Sequence, residues 1–136
     1  LRIKEHPSSK IPFGAHLRTL QDERFVISND EGVFDQVAGS DGVVTLNSSV
    51  GLQAFFFEKP VVVLGEAFFG FAPLVTPAAG NESLNAIARE PESIDFDPKV
   101  RSAFMNYLLS EYFLKADLSR PFSLDEKNIR KITQWL

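Results

Sequence analysis

Apolar residues follow two rhythms along this chain. Short β-branched runs with strand character alternate with segments whose apolar positions recur at helical spacing. Leu1-Arg2-Ile3-Lys4 alternates like the end of a strand, and Glu5-His6-Pro7 closes it, because Pro7 has no N–H to give a ladder. A stretch over 8–23 holds Pro12 and Gly14 and then a helical turn through Leu17 and Leu20. Arg24-Phe25-Val26-Ile27-Ser28 reads as a second strand and Asn29-Asp30-Glu31-Gly32 as the turn after it. Val33, Phe34 and Val37 share one face of a short helix that ends at Gly39.

The chain is organised around residues 43–54. Val43-Val44-Thr45-Leu46 is too short and too β-branched for a helix, and reads as a buried strand bounded by Gly42. Asn47 and Ser48 are favoured N-cap types, and Val50, Ala54 and Phe57 follow at helical spacing until Glu58-Lys59-Pro60 closes the helix. Residues 60–65, Pro60-Val61-Val62-Val63-Leu64-Gly65, form the clearest strand, and their continuous apolarity implies burial on both faces. A Phe- and Gly-rich loop spans 66–71, and Leu74-Val75-Thr76 is expected to be a short strand. Asn81 is placed to cap a helix carrying Leu84, Ile87 and Ala88. Asp97-Pro98 predicts a cap followed by proline at the first helical position, with Val100, Phe104, Tyr107, Leu108 and Phe113 as the stripe. A last helix is expected from about Ser123, with Leu124, Ile129, Ile132 and Trp135 as its apolar positions.

Strands alternating with helices imply an α/β three-layer sandwich with a mostly parallel, Rossmann-like sheet. The expected organisation is one domain over 1–136, an α/β core over 1–95 followed by C-terminal helices over 96–136. The first strand already ends in a polar group, with no strand–helix unit before it, so the sheet is read as missing a member. Leu1 is not Met and a strand-like segment opens at once, so the chain is read as an internal piece of a longer protein.

Composition narrows the function classes. The chain has 136 residues, enough for one real core, with 44% hydrophobic and 24% charged residues as in ordinary soluble domains. Phe dominates the aromatics, 13 against two Tyr and one Trp, which points to core filling more than to a hydrogen-bonding surface. A net charge of −4 without a basic run argues against general affinity for nucleic acid or an acidic membrane surface. There is no cysteine, which removes disulfides and Cys-based metal or nucleophile chemistry and suits a cytoplasmic protein.

The candidate chemistry sits at strand ends. A helix opening off the carboxyl end of a strand aims backbone N–H groups into the crevice where open parallel sheets bind ligands, so Asn47, Ser48 and Ser49 make a candidate anion seat. Either serine can equally be a plain cap. His6 can donate to a phosphate oxygen or simply cap its strand; Lys4 and Glu5 read as solvated edge charges. Gly51 permits close backbone approach or serves helix–strand packing, and Gln53 either reaches a ligand hydroxyl or is a partly buried helix residue. Glu66, just past the strongest strand, is either a ligand contact or an exposed loop carboxylate. Phe68-Phe69-Gly70-Phe71 fills the core, stacks a base or seats against a second domain. Glycine-rich phosphate loops, a Gly-x-Ser-x-Gly elbow and paired histidines at metal spacing are all missing, and His16 has no assigned role.

Three ordered segments, Lys4-Glu5-His6-Pro7, residues 47–54 (Asn47-Ser48-Ser49-Val50-Gly51-Leu52-Gln53-Ala54) and residues 59–69 (Lys59-Pro60 through Gly65-Glu66-Ala67-Phe68-Phe69), resemble the bacterial capsule polysaccharide biosynthesis family. That family includes Kdo transferases of capsule and lipopolysaccharide assembly. Order and spacing are also similar to the C-terminal half of GT-B glycosyltransferases, including bacterial sialyltransferases with His-Pro and Ser-Ser motifs. The resemblance covers about residues 1–76. It implies a nucleotide-sugar site with a CMP-sugar, CMP-Kdo foremost, as donor substrate and no separate cofactor or metal. Carried over by position, His6 would contact the donor phosphate, Pro7 would shape its turn, and Asn47, Ser48 and Ser49 would form the phosphate seat. Such helices commonly carry Glu for a ribose hydroxyl; Gln53 here keeps the hydrogen-bonding capacity and loses the charge. The implied partners are an N-terminal domain of the same protein and a saccharide acceptor, at a cytoplasmic site peripheral to the inner membrane through other capsule-assembly proteins. No counterpart of the family's acceptor site or catalytic acidic residues is recognised, so the chain reads as a donor-binding half, inactive alone. The alternatives are a non-catalytic α/β interaction domain and a nucleotide-sugar epimerase fragment.

Overall fold

The computed structural model describes residues 1–6, 14–20, 24–114, 116–117, 123–124 and 126–135. Pro7 lies outside them, as does Pro12. The elements run β1 (Arg2–Ile3), α1 (Gly14–Leu20), β2 (Val26–Ile27), α2 (Val33–Ala38), β3 (Val43–Thr45), α3 (Val50–Gln53), β4 (Val61–Val63), β5 (Thr76–Pro77), α4 (Gly80–Arg89), α5 (Pro98–Tyr107), β6 (Ala116–Asp117), β7 (Ser123–Leu124) and α6 (Glu126–Trp135). Short 3-10 turns, Ala54–Phe57 and Pro91–Ser93, extend α3 and follow α4, and a π-turned segment Leu108–Tyr112 continues α5.

This is the α/β class that the alternation implies, with β1 to β5 paired in parallel. β1 pairs with β2, and β3, β4 and β5 form a second sheet with β4 central. All three valines of β4 are buried, each stabilising by about 1.5–3 kcal/mol relative to exposure. Val61 and Val63 face a core shared with Val37, Leu52, Phe55 and Met105, so α2, α3 and α5 gather over one face of the β3–β5 sheet. The helix after β3 ends in a Schellman arrangement: Lys59 N–H donates to Ala54 O (3.1 Å) and Glu58 N–H to Phe55 O (3.2 Å). Glu58 takes the left-handed conformation this requires, φ 53°, and Pro60 then prevents continuation.

Several details differ from the sequence reading. β3 is half exposed: Val44 is 49% and Leu46 67% exposed, because among the described residues β3 has a neighbour on one edge only. The strand expected at Leu74-Val75-Thr76 is shifted to Thr76–Pro77; the Leu74 and Val75 N–H groups turn back to Phe71 O (2.9 and 3.2 Å) and cannot join the ladder. Asn81 is not a cap, since Gly80, at φ 78°, already turns the chain into α4 after Ala79. Region 96–136 is not purely helical: Ser123–Leu124 pairs antiparallel with Ala116–Asp117, and the last helix begins at Glu126. Lys4 and Glu5 are not merely solvated. Lys4 Nζ donates to Asn29 O and Glu31 O (2.7 Å each), Asn29 Nδ2 donates to Glu5 Oε2 (2.9 Å), and Arg2 pairs with Glu31.

The largest revision concerns α5. Asp97 caps it as expected, Oδ1 accepting from Lys99 N–H (2.8 Å) and Val100 N–H (3.1 Å), with Pro98 next. Its buried face, however, is Arg101, Met105 and Leu108, while Val100, Tyr107 and Phe113 are exposed. Arg101 is 3% exposed and its guanidinium lies between the Phe55 ring (4.2 Å) and the Phe96 ring (3.5 Å). Nε donates to Leu74 O (2.6 Å) and Nη1 to Lys59 O (2.7 Å), so one side chain ties α5 to the chain entering β4 and to the turn before β5. Desolvation lowers its pKa to about 10, which leaves it cationic at neutral pH.

Candidate functional site

Three loops meet at the carboxyl edge of the β3–β5 sheet. Leu64 N–H donates to Thr45 O (2.8 Å) and Gly65 N–H to Leu46 O (2.9 Å), which sets the turn after β3 against the loop after β4. Ala78 N–H donates to Val63 O (2.9 Å) and aligns the loop after β5 beside them. A side chain at Gly65 would put its Cβ 3.0 Å from Leu46 O, so glycine is what permits the first two loops to touch. Glu66 follows directly and is exposed.

The Ser-Ser turn is held from within. Ser48 N–H donates to Thr45 Oγ1 (3.1 Å), Val50 N–H to Ser48 Oγ (3.3 Å), and Gly51 N–H to Ser48 O (3.0 Å). Ser48 is therefore the working cap of the short helix, and part of its hydrogen-bonding capacity is spent there. Ser49 is exposed, and its hydroxyl makes no cap bond. Gly51 is a packing glycine: an added Cβ would lie 3.0 Å from both Phe69 Cε2 and Thr45 Cγ2. Gln53, part-buried, ends α3 with its N–H on Ser49 O (2.9 Å). Phe69 is core, whereas Phe68 is 59% exposed beside Glu66 and makes an edge contact with Phe69 (5.3 Å between centroids).

The fold thus brings Asn47, Ser48, Ser49 and Glu66 to one edge, with Gln53 one helical turn in from Ser49. His6 is exposed just beyond β1, in the other sheet, and no pairing joins β1 to β3. Sequence reasoning missed the third loop, Ala78-Ala79-Gly80, whose only signal is a glycine just ahead of a helical pattern. Among the described residues no group of three or more His, Asp or Glu side chains could hold a metal ion. Nor is any helix there long and apolar enough to cross a membrane.

Comparison with known proteins bears on this edge. The model of the family described as "Capsule polysaccharide biosynthesis protein" matches residues 1–117, a span that contains all three loops, His6 and α5. The chain belongs to that family. A curated relative, Protein FixF of Sinorhizobium fredii (strain NBRC 101917 / NGR234), is 28% identical over 120 residues, which cover 88% of this chain. The chain spans only 29% of FixF's length. No solved structure matches. The capsule polysaccharide biosynthesis match stops before β7 and α6, so the candidate edge, and not the last helix, lies inside the family's shared region.

Proposed function

We propose that this chain is the donor-binding part of a glycosyltransferase of capsule or surface polysaccharide assembly, and that it seats a CMP-sugar such as CMP-Kdo. The observation that carries the reading is the abutment of the Asn47–Ser49 turn and the Gly65-Glu66 loop, in a member of the capsule polysaccharide biosynthesis family. In this reading the donor phosphate lies against Ser49 and the backbone of the turn, where charge-assisted bonds are strongest. Gln53 takes a ribose hydroxyl, Glu66 a sugar or ribose hydroxyl, and His6 a phosphate oxygen once it reaches the same crevice. An N-terminal domain and a saccharide acceptor complete the enzyme. Transfer requires donor, acceptor and acid/base groups held together away from water, and this chain offers the first only, so no turnover is expected from it alone.

A second reading, a non-catalytic interaction domain, draws on the exposed rings of Phe68, Phe71 and Tyr107. Calorimetric titration separates the two. CMP and CMP-Kdo are expected to bind with submillimolar Kd, with CMP release at background rate when acceptor is added. A chain that takes up neither ligand at millimolar concentration supports the interaction domain and ends the donor-site reading.

A further inference from the structure

The loop after β4 carries two phenylalanines where tight turns favour Gly, Pro, Asn, Asp or Ser. Gly70 N–H donates to Ala67 O (2.8 Å), so Phe68 and Phe69 are the central residues of a turn. A Cβ at Gly70 would lie 3.0 Å from Ala67 O and 3.3 Å from Val63 Cγ1, so this turn is closed tightly on the end of β4. The two rings part there. Phe69 enters the core, 1% exposed, while Phe68 stays 59% exposed. A single exposed Phe is ordinary, but this ring is held in place. It stands perpendicular to Phe69, 5.3 Å between centroids at 89°, and 6.4 Å from Phe104. Phe69 is braced in turn by Phe55, at 6.0 Å and 86°.

Phe69 also ties Phe68 to the serine turn. Its ring packs on Gly51, two residues beyond Ser49, where an added Cβ would lie 3.0 Å from Cε2 and 3.1 Å from Cζ. Glu66, exposed, stands two residues before Phe68 on the same loop. A fixed, open ring beside a carboxylate suits a pyranose. The negative face of the ring attracts the polarised C–H bonds on the apolar side of the sugar. The carboxylate is an acceptor only, which matches hydroxyls at the sugar's rim and repels a phosphate.

We propose that Phe68 is the platform on which the sugar ring of the donor stacks, with Glu66 accepting from that ring's hydroxyls. The proposal rests on the donor-site reading and on the order of groups in a CMP-sugar, whose phosphate lies between ribose and sugar. With the phosphate on the serine turn and the ribose at Gln53, the loop that abuts the turn through Gly65 is left to the sugar. Phe68 is then a specificity-determining residue. It favours donors whose pyranose presents a flat C–H face, and it adds nothing to the binding of CMP itself. Its position at a turn centre, fixed by Phe69 and Phe104, means that little ring freedom is lost when the sugar arrives.

Calorimetric titration of the protein and its Phe68 variants with CMP and with freshly prepared CMP-Kdo tests this. The parent is expected to bind CMP-Kdo about tenfold more tightly than CMP. Phe68→Ala is expected to lose that margin while its CMP affinity stays within about twofold of the parent's, which also shows that the variant is folded. Phe68→Leu should lose the margin as well, because it restores apolar bulk without a flat π face, whereas Phe68→Tyr should keep it. A parent that binds the two ligands equally, or an Ala or Leu variant that keeps the margin, overturns the proposal. An equal loss for CMP and CMP-Kdo in a folded Leu variant shows the ring stacked on cytosine and overturns it too. A parent that takes up neither ligand ends the donor-site reading, and the platform with it. A parent that binds CMP while no Phe68 variant changes either affinity ends the platform alone.

Discussion

Ser48 Oγ accepts from the Val50 N–H, whereas the neighbouring Ser49 hydroxyl makes no cap bond. The two serines can therefore be separated by mutation. Ser48→Ala is expected to cost about 1 kcal/mol of stability, the usual value of a lost cap. Ser49→Ala should leave stability within about 0.5 kcal/mol, as for other exposed substitutions. Its effect on CMP should be larger, because a hydrogen bond to a charged phosphate contributes roughly 1.5–3 kcal/mol, a tenfold or greater loss of affinity. Urea unfolding and calorimetry on the two variants give both numbers. Ser49→Ala binding CMP as tightly as the parent would contradict the phosphate seat. This division of labour is invisible in the sequence, where Asn47, Ser48 and Ser49 are all acceptable caps and only coordinates say which hydroxyl is occupied.

At the scale of elements, α5 is held by a residue that periodicity passes over. Arg101, Met105 and Leu108 recur at helical spacing just as Val100, Phe104 and Tyr107 do, but one member is charged, so the expected apolar stripe finds Leu108 and the partly buried Phe104 and misses Arg101 and Met105. A buried arginine becomes tolerable when carbonyls and ring faces receive it, and those come from Phe96 nearby and from Leu74, Lys59 and Phe55, distant in sequence. Nη2 remains buried without a hydrogen-bond partner among the described residues, which subtracts from the gain. Arg101→Ala is expected to destabilise by about 3 kcal/mol, through two lost charge-assisted bonds and a cavity between two rings. Arg101→Lys should recover little, because an ammonium has neither the planar fork nor the stacking face. Chemical denaturation decides this, and a Lys variant of parental stability would show that the planar fork and the ring stacking contribute nothing. By contrast, Asp97-Pro98, the β4 valines and the Glu58-Lys59-Pro60 stop are legible because each depends on its own few residues. The β5 register is not, since Leu74 and Val75 look like strand but are captured by Phe71 O.

For the whole molecule, alternation alone identified parallel α/β architecture and the strand ends where candidate ligand residues fall. What it leaves open is which strand ends are neighbours, because adjacency depends on pairing across sequence-distant edges. The structure joins the Ser-Ser turn to the Gly65-Glu66 loop directly and leaves His6 on the other sheet. A donor site on the β3–β5 edge should therefore be anchored by the turn and the loops, with His6 contributing less. Amide chemical-shift mapping with CMP decides where the donor sits. Saturable shifts are expected at residues 46–53, 65–68 and 78–80, with residues 98–107 of α5 unmoved. Saturable shifts on α5 and Phe71 with that edge silent, or no shifts at millimolar CMP, would contradict it.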